Sequence, residues 1–328
     1  MKTLQLLLLA LAAMTLPARA DIEVRISVKF ILNWDGTRPV NAGNIDLSTA
    51  AAFDVEIAHG NQVLSATGRG YRLRVVEYID VQPMAPVGQS PDYWYNLPAR
   101  SNRRVIEDAA AADSATWRRN GAGALNIYVN NSSSGSCSFI GTGDSISLGS
   151  TVFTRGTVVH EIGHFFDLSH THAGDSDCSD PPPYALADGD RLSETVPDSS
   201  CYSTRAALMA ALLPELQAAV DTSWLNVMSY HQEEQLLDIQ MDYWSSNANH
   251  ARHAVCSGYT WFLATDHLDG ISDGLSTGQA FQTVEWARLF VTTPDDILLL
   301  KTGAYAAPEP LDTPCTLRAT GGPVTLFR

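Results

Sequence analysis

Positive charge is scarce in this chain. Lysine and arginine together number 21 against 36 aspartates and glutamates, which leaves a net charge of −15, and lysine itself occurs only at Lys2, Lys29 and Lys301. A nucleic-acid partner is therefore not expected, because no basic footprint is available to neutralise phosphates. Cysteine is sparse too. None lies between Asp21 and Ser136, and the five present (Cys137, Cys178, Cys201, Cys256, Cys315) are an odd number, so at least one is free or pairs elsewhere. Beyond the first twenty residues no apolar run approaches the roughly 20 residues that a membrane-crossing helix needs. The apolar share of 45% is ordinary, which excludes a disordered chain.

What is present begins with an export signal. Met1-Lys2 supplies a positive start, Leu4 to Met14 an apolar run, and Ala18-Arg19-Ala20 a small-x-small cleavage site. Residues 1–20 read as a signal peptide cleaved near Ala20, with a secreted or periplasmic product, and the acidic, low-lysine composition suits that location. Export makes disulfides plausible. Cys178 and Cys201 bracket a loop rich in proline and aspartate and form the first candidate pair. The pairing of Cys137, Cys256 and Cys315 stays open.

Residues 23–32 alternate in the manner of a strand, and Leu47 to Ala66 carries Ala51, Val55, Ile57, Val63 and Leu64 at helical spacing. Strands are expected at Tyr71 to Val81, Leu125 to Asn130 and Ser145 to Leu148, and helices at Arg103 to Arg119, Thr154 to Asp167, Arg205 to Val220 and Met241 to Arg252. Gln82 to Leu97 and Ala173 to Ser203 read as irregular. The alternation of strand and helix describes an α/β (α+β) domain with a twisted mixed sheet. The expected division is a signal peptide over 1–20, a main domain over 21–264 and a small β-rich C-terminal segment over 265–328.

The chemistry concentrates between Thr157 and His172. His160, Glu161 and His164 stand as H-E-x-x-H, and His170 follows six residues after the second histidine. On a helix, residues i and i+4 share one face, so His160 and His164 can offer imidazoles to one point. Three neutral imidazoles suit Zn²⁺ and leave a fourth position open for water. Glu161 adjoins the first ligand, where its carboxylate can act on that water as general base. The acidic group Asp175, Asp177, Asp180, Asp188, Asp190 and Glu194 offers hard oxygen ligands to Ca²⁺, with a solvated acidic loop as the plainer alternative.

The pattern His160-Glu161-x-x-His164-x-x-Asp167-x-x-His170, taken with Asn226-Val227-Met228-Ser229-Tyr230, resembles the metzincin metalloproteases. More narrowly it is similar to the pappalysin (ulilysin-like) family of secreted zinc endopeptidases. His170-Thr171-His172 resembles that family's His-Thr-Phe, and the stretch Asp190 to Pro197 its Val-Ser-Asp-Thr-Pro. The resemblance covers about residues 23–258 and implies zinc on His160, His164 and His170 and a general base at Glu161. It also implies a Met-turn floor at Met228, an oxyanion donor at Tyr230, calcium in the acidic loop, and protein or peptide substrates. Three features depart from it. Asp167 stands where the family has glycine, in a turn that typically needs a left-handed residue. The Arg205 to Val220 segment lengthens the path to Met228. The absence of cysteine before Ser136 argues against latency through an N-terminal thiolate, and no substantial propeptide is expected.

Residues 269–328 resemble the cap and first coil of right-handed parallel β-helix proteins, through Thr283-Val284-x-x-Ala287, Pro294-Asp295-Asp296, Gly303-x-Tyr305 and Thr316-Leu317-Arg318. A solenoid coil cannot bury its face without neighbours, so the piece is expected to pack on the preceding domain or to belong to a longer parent. Two function classes remain after this reading, a secreted zinc endopeptidase and a non-catalytic secreted binding or adhesion protein with a structural metal. Glu161 separates them, since a structural site has no use for a general base and fills all four positions. A polysaccharide-acting β-helix enzyme rests on the tail alone.

Overall fold

The computed structural model describes residues 22–40, 45–98, 103–132, 137–138, 145–152, 155–172, 186, 188–232, 234–245, 252–269, 272, 274–275, 277–291, 293–307 and 314–327. The expected signal peptide over 1–20 lies outside them. No helix among the described residues is long and apolar enough to cross a membrane.

The main sheet is built on β1 (Ile22–Ile31), whose even-numbered residues Ile22, Val24, Ile26, Val28 and Phe30 are all buried. The short strand β2 (Ile45–Asp46) and helix α1 (Ala50–Ala66) come next, and β3 (Tyr71–Val81) then returns parallel to β1. Two short helices, α2 (Tyr93–Asn96) and α3 (Arg103–Ala112), and the single turn α4 (Ser114–Trp117) lead to β4 (Leu125–Asn130). Then follow β5 (Cys137–Ser138), β6 (Ser145–Gly149) and β7 (Thr151–Val152). The strand order is β3-β1-β4-β6-β5, parallel except for β5, and β7 pairs antiparallel with β2. This is the expected mixed α/β arrangement.

Sequence periodicity found α1 but misjudged part of its buried face. Thr49 caps the helix by accepting from the Ala52 backbone N–H at 3.1 Å, so the helix starts at Ala50 rather than Leu47. Its core face runs Phe53, Ile57, Gly60, Leu64, while Ala51 and Val55 face solvent. A Cβ on Gly60 would lie 2.8 Å from Leu73 Cδ1 and 3.2 Å from Val159 Cβ, which lets α1 approach both the sheet and the helix that carries the histidines.

Other helices are shorter than expected because local breakers override composition. Asp113 closes the alanine-rich helix after Ala112 and caps the next turn, its carboxylate accepting from Thr116 N–H at 3.3 Å. The expected Arg205 to Val220 helix is α6 (Arg205–Ala211) followed by a break at Pro214, and a separate turn α7 (Asp221–Trp224) comes after it. Helix α8 spans Asp238–Trp244, so it begins three residues before the expected Met241. Helix α5 (Thr157–Phe165) begins only after Gly156, whose φ of 102° stops any extension back to Thr154.

Residues 260–263, assigned by sequence to the preceding domain, belong to the C-terminal sheet. There β9 (Thr260–Leu263), β10 (Ile297–Ala306) and β11 (Thr316–Phe327) lie parallel in the order β11-β10-β9, with a helical turn α9 (Val284–Ala287) between the first two. Just before them β8 (Cys256–Ser257) pairs antiparallel with β1. One continuous buried cluster joins the two sides, running from Val24, Val28 and Phe165 through Tyr259 and Trp261 to Phe281, Phe290 and Leu298. The inner part of the tail therefore packs against the preceding domain, whereas its outer strand β11 is exposed along nearly all of its length.

Candidate metal centre

Helix α5 passes through the interior with all nine residues buried, so His160 and His164 reach their common point inside the protein. Phe166 N–H donates to Ile162 O and Leu168 N–H to Gly163 O, each at 3.0 Å, and Asp167 takes φ 67°. The left-handed turn thus forms on an aspartate where glycine was expected. Arg252 supports it: its guanidinium pairs with Asp167 Oδ1 at 3.1 Å and also donates to the Phe165 carbonyl. A cation at a helix C-terminus is favourably placed against the last carbonyls.

That turn brings His170 back to the helix. His170 Nε2 lies 3.2 Å from His160 Nε2 and 2.8 Å from His164 Nε2. The other ring nitrogens are engaged, since His160 Nδ1 donates to Val227 O at 2.6 Å and His164 Nδ1 to Leu168 O at 2.7 Å. A carbonyl can only accept, so each Nδ1 carries the proton and each Nε2 presents a lone pair. Ligands about 2.0–2.1 Å from a tetrahedral zinc would stand roughly 3.3 Å apart. The donor set and its spacing fit Zn²⁺, and among the described residues this is the one His/Cys/Asp/Glu group that can hold a metal ion.

Burial, then the neighbouring His164, pushes the His160 imidazole down to about 3 from its ordinary 6.5. The unfolded chain therefore takes up this proton at a pH where the folded chain does not, and the associated stability, present above pH 6.5, is lost as pH falls toward 3. Thermal melts of chelator-treated protein are expected to show a steady fall in Tm below pH 6.5, as stability declines by up to about 1.4 kcal/mol per pH unit. A Tm that holds level down to pH 4 would show that His160 is not kept neutral.

The second wall of the centre comes from the segment around Met228. Met228 is fully buried, and its Sδ lies 2.5 Å from where a Cβ on Gly163 would stand, so glycine at that helix position is what admits the methionine. Asn226 shapes the turn by accepting from Met228 N–H at 2.9 Å. It exchanges two 3.0 Å amide hydrogen bonds with Gln240 on α8, both residues being fully buried. Tyr230 is at the rim, 39% exposed, with ring centroids 4.8 Å from His170 and 5.8 Å from His160. Glu161 is buried beside His160.

Sequence reasoning passed over several residues here. His172 stacks on His170 with centroids 4.9 Å apart and planes 9° from parallel, and meets Tyr230 edge-on at 4.5 Å. Gln240, Gly163, Gly189 and Arg252 also build the centre, and none carries a local signal of that role. Calcium receives no support. Asp175, Asp177 and Asp180 lie outside the described residues. Asp188 and Asp190 each accept from a backbone N–H, of Arg191 and Leu192, and Glu194 accepts from that of Ile239, so these carboxylates brace the loop. Cys201 is disulfide-bonded, and its expected partner Cys178 lies outside the described residues. Cys256 and Cys315 are free.

Fold and site together define a mixed α/β protein with a three-histidine group able to hold a metal ion. No protein-family model matches the chain, and no curated protein matches it. Among solved structures it is similar to a chain described as the structure of a chaperone-substrate complex, at 13% identity and TM-score 0.31, over 64% of this chain and 36% of that one. It is also similar to metalloproteinase-II from Bacteroides fragilis, at 14% identity and TM-score 0.30, over 50% of this chain and 47% of that one. The chain spans less than half the length of either, and likenesses this distant define no family for it.

Proposed function

We propose that this chain is a secreted zinc-dependent endopeptidase of the metzincin type, with the narrower pappalysin resemblance resting on its sequence motifs. The observation that carries the proposal is the convergence of three imidazole Nε2 atoms on a helix that also buries Glu161. A bound Zn²⁺ would acidify a water in its open position and polarise the scissile carbonyl. His160, His164 and His170 would hold the ion, with His160 oriented by the Val227 carbonyl and His164 by the Leu168 carbonyl. Glu161 takes the proton of the attacking water and delivers it to the leaving amine. Tyr230 donates its phenol hydrogen to the oxygen on which charge develops, and Met228 closes the apolar floor.

The test is hydrolysis of casein or gelatin by the mature chain, before and after chelation. Activity is expected to vanish with the metal and to return when about one zinc per chain is restored. Cleavage that continues unchanged in the stripped protein would rule the mechanism out. A purely structural metal, the second reading, would give a chelator-sensitive Tm with no cleavage at all.

A further inference from the structure

We propose that Asp198 is a positioning residue that fixes Tyr230 against the three histidines. It does so by clamping the residue after the third ligand to the residue after the tyrosine. The inference rests on the catalytic reading of the site given above.

Asp198 is fully buried between three segments. Its Oδ2 accepts from Thr171 Oγ1 at 3.0 Å, and its Oδ1 accepts from His231 Nε2 at 3.0 Å and from the Ser199 backbone N–H at 2.6 Å. Thr171 directly follows His170, and His231 directly follows Tyr230. One carboxylate therefore ties together the immediate neighbours of the two groups whose separation the chemistry would depend on. Both arms are braced from behind. The His231 ring lies stacked on Trp224 with centroids 4.3 Å apart and planes at 19°, and Thr171 N–H donates to the Met228 carbonyl at 3.0 Å.

Hydrogen bonds to a carboxylate shielded from water are strong and directional. Tyr230 itself stands at the rim, where its ring packs against His160, His170 and His172. The clamp beneath fixes the backbone from which the phenol projects relative to the segment that carries His170. Displacement of a reacting group by about 1 Å can cost on the order of a hundredfold in rate.

Two substitutions each cut one arm while keeping shape. Thr171→Val removes the hydroxyl, and His231→Phe removes the nitrogen but retains the stack on Trp224. Each is expected to lower kcat by about tenfold to a hundredfold with KM unchanged and metal content still at one per chain. Placed in a Tyr230→Phe background, the same substitutions are expected to cost nothing further, because a clamp acting through the phenol has no more to lose. Losses that add in full to that of Tyr230→Phe, or loss of the metal, would overturn the proposal.

A second readout does not depend on activity. In protein labelled with 3-fluorotyrosine, the resonance missing from Tyr230→Phe identifies residue 230. It is expected to shift or split in both arm variants, and an unmoved line would overturn the clamp. If the wild-type chain cleaves no peptide, the catalytic reading fails while this resonance still decides whether Asp198 positions Tyr230.

Discussion

Glu161→Gln is expected to lower peptide hydrolysis by about 10²–10⁴-fold while the metal content stays near one per chain. Glutamine has nearly the size of glutamate and can occupy the same buried position on α5, so ligand geometry is preserved. What disappears is the ability to take a proton from the attacking water. The contrast is His164→Ala, which removes one of the three converging nitrogens. That variant should lose both metal and activity. Metal analysis alongside kcat/KM separates the two outcomes. If Glu161→Gln retained wild-type kcat/KM, the general base would have to lie elsewhere and the assignment of Glu161 would fall.

Gly189→Ala is expected to destabilise the fold and weaken metal binding together. A Cβ at position 189 would lie 2.1 Å from the His172 carbonyl oxygen, 2.2 Å from its carbonyl carbon and 2.5 Å from the His170 carbonyl oxygen. These are backbone atoms and cannot rotate away, unlike the Met228 side chain that faces Gly163. Gly189 also donates its N–H to Thr171 O at 2.9 Å, so the two segments are joined at the point of closest approach. The added methyl must push the ligand segment from α5. Folding should lose about 3 kcal/mol or more, and metal affinity should fall with it. Gly278→Ala is the control, because a Cβ there meets nothing within 4 Å. Denaturant melts and chelator competition on both variants check the result, and wild-type metal affinity in Gly189→Ala would contradict the packing argument.

Much of the site could be read from sequence because its geometry is local. The i, i+4 relation of His160 and His164 belongs to any helix, and His170 needs only one turn to return to the same point. The expectation at Asp167 was also local: the residue type tolerates a left-handed φ, and it adopts 67°. What could not be read was the residue that supports it, since Arg252 lies 85 positions further along the chain. The same holds for the Asn226–Gln240 amide pair and for Gly189, whose glycine is required by another segment's backbone.

Sequence by itself determined the alternation of strands and helices that makes this an α/β chain, the three-histidine spacing with Glu161 between the first two, and the acidic character that argues against nucleic acid. Only the tertiary structure decided which helix face is buried, where helices stop, and that residues 260–263 join the C-terminal sheet. It alone decided that the His172 ring stacks on His170 and meets Tyr230. The physical reason is the range of the interactions. Periodicity and capping act within a few residues and leave a pattern in the sequence. Close approach between distant segments depends on the whole packed core and leaves single residues, such as Gly189 and Asp198, with no pattern around them.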